Sequence, residues 1–180
     1  MSLPAQKLRE ITLQILYGSD MERPDSLEIV ELLMGELAIS KKNVRLAQTK
    51  VLQILELLPQ IDQLIRSASL SYSFERIQKV TLAVLRLGVY ELFFEKQLPH
   101  KVAIAEAIRL SRKFSTPESA SFVNALLDRL YQLSIGQEPS AAILEHESAQ
   151  LASSEERAAE TALQAPIVDS TPGDADGSAF

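Results

Sequence analysis

Between Val80 and Phe94 the chain carries only two charges, Arg86 and Glu91, in a run that is otherwise nearly all apolar. A helix apolar on every side is stable only when neighbours cover it, so this segment predicts the central helix of a bundle. The two charges interrupt it where a membrane span needs unbroken apolar residues. Amphipathic helices are expected on either side. Residues 3–20 place Leu8, Ile11, Ile15 and Leu16 on one face. A short helix is expected over 25–39. Residues 42–68 repeat Val44, Ala47, Val51, Ile54, Leu58, Ile61 and Ile65 in alternating steps of three and four, a seam suited to bundle packing or to a dimer. Pro59 interrupts it without shifting its phase and predicts two nearly collinear pieces.

The polar stretch Ser69 to Ser73 marks a joint, with Ser73 placed to cap the helix that follows. Beyond the central helix, 100–114 and 117–133 read as two more amphipathic helices. Thr116-Pro117-Glu118 is a strong start for the second: a capping hydroxyl, Pro in the first turn, then an acid. The expected fold is all-α. It has two three-helix sub-bundles, about 1–68 and 74–135, within a domain of residues 1–136.

After Gly136 the composition turns to Ala, Ser, Glu, Asp, Gly and Pro. Nine acids there stand against Arg157 alone, which puts the tail at −8 and leaves residues 1–136 at +2 of the total −6. Residues 137–180 are therefore expected to be an acidic tail of low order, with some helical propensity over 141–165. The mildly basic remainder stays compatible with a polyanionic partner.

The chemistry-bearing residues are sparse. With no Cys there is no thiolate nucleophile, thiolate metal site or disulfide. His100 and His146 stand outside any recognisable motif, and no Gly-rich phosphate loop or nucleophile elbow occurs. A Glu91–Glu106 carboxylate pair is conceivable, but both read better as residues pairing at helix joints, with Arg86 or with helix termini. No enzyme, cofactor, metal or membrane segment is expected, and nothing at residues 1–20 resembles a signal peptide. Lys7 and Arg9 form either an ordinary solvated face or a short phosphate-contacting arm. Arg109, Arg112 and Lys113 sit where they complement a helix C-terminus.

Three blocks carry a resemblance: LAVLRLGVYEL, LPHKVAIAEAIRLSRKF and ESASFVNALLD. Together with Arg9, Glu10, Gln14, Leu16 and Tyr17 they resemble the NusB family of bacterial transcription antitermination factors, over residues 5–133. The resemblance implies two small helical bundles at a wide angle and a cytoplasmic, non-catalytic RNA-binding role. The implied target is boxA in the single-stranded ribosomal RNA leader. It is bound with the small-subunit ribosomal protein that serves as NusE, within the RNA polymerase antitermination complex. The contacts so implied are Lys7, Arg9, Tyr17, Lys101, Glu118 and Phe122, with phosphates meeting bases and nucleobases stacking on aromatics. Tyr17 and Phe122 have a core alternative, and Lys101 a solvated one. Arg86, Glu91, Asn124 and Asp128 are expected to form a structural polar network. The family's N-terminal run of Arg is thinned here to Lys7 and Arg9, which leaves a protein-interaction adaptor with weak RNA binding as the alternative.

Overall fold

The structure, a computed structural model, describes residues 3–19, 31, 34–35, 39–70 and 72–164. Among these are seven α-helices and one 3-10 turn: α1 (Ala5–Gly18), α2 (Lys41–Glu56), α3 (Leu58–Ala68), the turn Phe74–Arg76, α4 (Lys79–Phe93), α5 (His100–Phe114), α6 (Pro117–Ser134) and α7 (Ala141–Gln164). The helix expected over 25–39 lies largely outside the described residues, as does the tail from 165.

The central helix is α4. Ala83, Val84, Leu85, Leu87, Val89 and Tyr90 are all buried on it, and α1, α2, α3, α5 and α6 pack around it. Close packing is sharpest at Gly88. A Cβ built there would lie 3.0 Å from Leu127 Cδ1 and 3.2 Å from the Ala107 Cβ, so the bare backbone lets α5 and α6 approach α4. One continuous buried cluster runs from Ile11 on α1 to Leu130 on α6 and onward to Leu144 and Leu151.

The three-four seam is internal to this core except at Leu58, which is half-buried. Val44, Ala47, Val51, Ile54, Ile61 and Ile65 are wholly buried, each of the larger ones contributing roughly 1.5–3 kcal/mol by leaving water. A dimer seam would need that stripe at the surface. The chain breaks at Leu57 (φ −95°, ψ 3°), and Pro59 falls in the first turn of α3, where its missing N–H leaves no bond unmade. Thr116 caps α6 as its sequence predicts, its Oγ1 accepting from the Ser119 N–H at 3.1 Å. Ser73 instead donates its hydroxyl to Glu75 and precedes the 3-10 turn, so α4 starts only at Lys79. Gly136, at φ +74°, ends α6: its own N–H reaches the Leu133 carbonyl and that of Gln137 reaches Gln132.

Side-chain pairs fix the helix directions. Along α2 and α3, Lys50, Gln53 and Asp62 meet Glu95 or Glu91, Tyr90 and Arg86 in turn, so this segment runs antiparallel to α4. Along α1, Arg9 meets Glu91 while Tyr17 lies by Val80, again antiparallel. Gln6 and Glu10 meet Glu106 and Lys113, so α5 runs parallel to α1.

The tail differs from the expectation of low order across 141–164, where α7 packs on α6. Leu144, Ser148 and Leu151, spaced four and three apart, bury a stripe one residue wide, too narrow to stand out in an acidic, Ala-rich sequence. Glu155 accepts a hydrogen bond from the Tyr72 hydroxyl. Burial, and then this carboxylate, push the Tyr72 phenol above its ordinary range.

Candidate nucleic-acid interface

The six residues implicated in RNA contact do not come together in one place. Lys7 is partly exposed near the start of α1 and lies 3.8 Å from Glu10. Lys101 is exposed in the first turn of α5, the same end of the bundle. Tyr17, 42% exposed, lies about 15 Å of helix rise from Lys7. It lines a groove of about 330 Å³ with Leu13, Gln14, Val80 and Phe114. Glu118 is half-buried in the first turn of α6, at the end of α5 where Phe114 stands.

Two of the six are corrected by their surroundings. Phe122 is wholly buried, its ring centroid 5.3 Å from that of Tyr72. A nucleobase reaches it only if the core opens, so it takes its core alternative. Arg9 is 11% exposed at the side chain and points inward. Its Nε donates to both oxygens of Glu91, at 2.8 and 3.1 Å, and its Nη1 lies 3.8 Å from Glu106. It is a structural cation and not part of a phosphate arm. The conceivable Glu91–Glu106 pair is thus real as a pair, joined by Arg9 rather than by Arg86.

That guanidinium is the middle of a longer chain of charges. Lys50 on α2 reaches Glu91 at 3.1 Å and Glu95 at 2.7 Å. Arg109 joins Glu106 to Glu10, and Lys113 donates to Glu10 at 2.8 Å. Burial raises the Glu10 carboxyl pKa, but the hydrogen bonds and charges of Lys113 and Arg109 outweigh it and hold the group below its ordinary value. Burial alone would lower the Arg109 pKa; Glu10 and Glu106 raise it further still. The network ties α1, α2, α4 and α5. Each buried charge has a partner, which is the condition for burying it at all.

The structural network expected from Arg86, Glu91, Asn124 and Asp128 is therefore differently composed. Arg86 forms a two-point pair with Asp62, both bonds 2.9 Å, tying α4 to α3. Glu91 belongs to the Arg9 cluster. Asn124 and Asp128 are exposed on α6, where Asp128 accepts from Gln132 at 2.7 Å. Sequence reasoning missed Glu10, Lys50 and Asp62 as partners, because each pairs with a residue far along the chain. The one available signal was the need of Arg86 and Glu91 for counter-charges in an apolar helix.

On the flank of α5 and α6, the His100 and Tyr131 rings stack at 3.9 Å. They line an open groove of about 470 Å³ with Lys101, Asp128 and Gln132. Among the described residues, no set of His, Asp and Glu is placed to hold a metal ion. No helix there is long and apolar enough to cross a membrane.

An all-α scaffold tied by buried ion pairs, with exposed bases at its helix starts, defines a helical binding module. Comparison with known proteins places it more narrowly. The NusB family model matches residues 6–132, and the chain belongs to that family. It is 39% identical over 128 residues to the transcription antitermination protein NusB of Chlamydia pneumoniae, covering 71% of this chain and 80% of that one. A NusB of Clostridium perfringens is 38% identical over 70% of this chain and 95% of its own. Among solved structures, T. maritima NusB aligns with a TM-score of 0.63 at 32% identity, over 81% of this chain and 99% of that one. The structure of antitermination factors NusB and NusE in complex with dsRNA aligns at 0.61 and 26% identity, over 71% and 96%. The family is one of transcription antitermination factors and not of enzymes. The α7 helix lies beyond the matched residues.

Proposed function

We propose that this chain is an antitermination factor that binds the boxA element of ribosomal RNA leader transcripts. It does so together with the small-subunit ribosomal protein acting as NusE, and promotes ribosomal RNA transcription within the RNA polymerase antitermination complex. The observation that carries the reading is the likeness, over most of the fold, to a NusB solved with NusE and RNA. Lys7 and Lys101 are proposed to meet phosphates of single-stranded RNA, and Tyr17 to stack a base. Glu118 borders that second region and is proposed to accept from a base edge. The reading locates this activity in the cytoplasm.

The test compares a boxA-like leader oligonucleotide with a scrambled one of the same composition, at matched salt. Tighter binding to the boxA-like RNA supports the reading, and equal affinity for both contradicts it. The adaptor alternative is favoured by one observation: Arg9 and Phe122 are both engaged inside the core. It predicts retained NusE binding with weak, sequence-independent RNA binding.

A further inference from the structure

Six bases lie far apart in sequence, and helix direction brings them to one end of the bundle. Both α1 and α2 run antiparallel to α4, and α5 runs parallel to α1, as the pairs above fix. The starts of α1, α2 and α5 therefore share one end with the finish of α4. That end carries Lys7, Lys41, Lys42, Arg45, Lys96 and Lys101.

The cations Arg9, Lys50, Arg86, Arg109 and Lys113 each hold a carboxylate. By contrast, Lys41, Lys42, Arg45, Lys96 and Lys101 are exposed, and among the described residues none of them has an acidic group within ion-pair distance. Lys41, Lys42 and Arg45 line a shallow groove of about 350 Å³ with Leu46 and Thr49. Glu95, two residues past the end of α4, is taken by Lys50. Asp128 bounds the region on the far flank, beside Lys101.

Helix electrostatics make this placement unfavourable for the chain alone. The first turn of a helix carries partial positive charge and favours acids. The first turns of α1, α2 and α5 hold none, and Pro4, Ser40 and Pro99 cap no N–H with a side chain. Three helix starts and six bases thus present donors and positive charge together, and a polyanion laid across them satisfies both.

We propose that Lys41, Lys42 and Arg45 form a second phosphate-contacting strip. It would continue the one at Lys7 and Lys101, so that a single-stranded RNA backbone passes from α5 across the start of α1 onto α2. This inference rests on the RNA-binding function proposed above, and it deepens it by assigning α2 a part in the site.

The experiment is fluorescence anisotropy of a labelled single-stranded leader RNA against the full chain over a salt series. The wild type is compared with the triple variant Lys41→Gln, Lys42→Gln, Arg45→Gln. Each lost phosphate contact lowers the slope of log K against log salt by about 0.7, so three contacts remove about 2, or roughly a hundredfold in affinity near 0.1 M salt. A thermal melt at or above the wild-type midpoint certifies the fold, because the three side chains are exposed at a helix start. A wild type that binds, with an unchanged slope in the variant, overturns the α2 strip and leaves the RNA-binding function standing. A wild type with no salt-dependent RNA binding overturns both.

Discussion

Replacing Arg9 by Ala separates the two roles its position suggests. In the structure Arg9 supplies two of the three hydrogen bonds that the Glu91 carboxylate accepts, the other coming from Lys50 at 3.1 Å. Glu91 is 2% exposed at the side chain, so water does not replace what is lost. Removing one partner of a buried pair costs about 3–5 kcal/mol, and the remaining Lys50 contact puts the expectation near the lower figure. For a chain of this size about 3 kcal/mol corresponds to a midpoint drop of roughly 6–12 °C. Thermal unfolding followed by far-UV circular dichroism reads it directly. Lys7→Ala is the contrast: a partly exposed base whose loss changes stability by no more than about 0.5 kcal/mol but lowers the salt slope of RNA binding by about 0.7. The reasoning is refuted if Arg9→Ala melts with the wild type while its salt slope falls as Lys7→Ala's does.

Three further outcomes follow from the packing and the charges. Gly88→Val pushes a branched side chain against Leu127 and Ala107, already 3.0 and 3.2 Å from a Cβ; overpacking of about 1–3 kcal/mol is expected in urea unfolding, and an unchanged midpoint counts against the close approach of α4. The Glu10 carboxyl has a folded pKa below its ordinary 4.5, so its contribution is full above 4.5 and is lost as pH falls through the folded value. Glu10→Gln should accordingly flatten the acid limb of the stability-pH curve, and an identical limb in the variant contradicts the pairing with Lys113 and Arg109. Leu151→Asp puts a charge on the buried stripe of α7; amide exchange should rise over 141–164 while α6 stays protected, and uniform protection would show that the stripe does not hold the helix.

What was legible in the sequence was local and periodic. The apolar run around Val84 to Val89 requires cover on all sides, and the Val44-to-Ile65 spacing defines one stripe, so both landed in the core. Thr116 marks the start of α6 by chemistry confined to a few residues. What was not legible depends on the third dimension. Arg9 looks the same in sequence as a solvated helix base, and only the approach of Glu91 and Glu106 from α4 and α5 turns it inward. Phe122 lies on a face where burial and base stacking ask for the same residue type. The α7 stripe was hidden because Leu144, Ser148 and Leu151 are few among acids and alanines, and their burial depends on a waiting surface on α6. The bases of α2 stand together at 41–45 in the sequence, but that they share an end of the bundle with Lys7 follows only from the helix directions.

The most direct test of the central claim is a ternary measurement: anisotropy of a boxA-like leader RNA and a scrambled control, with and without purified NusE. The account predicts tighter binding to the boxA-like RNA, further tightened by NusE. Weak and equal binding to both RNAs, unaffected by NusE, would contradict it.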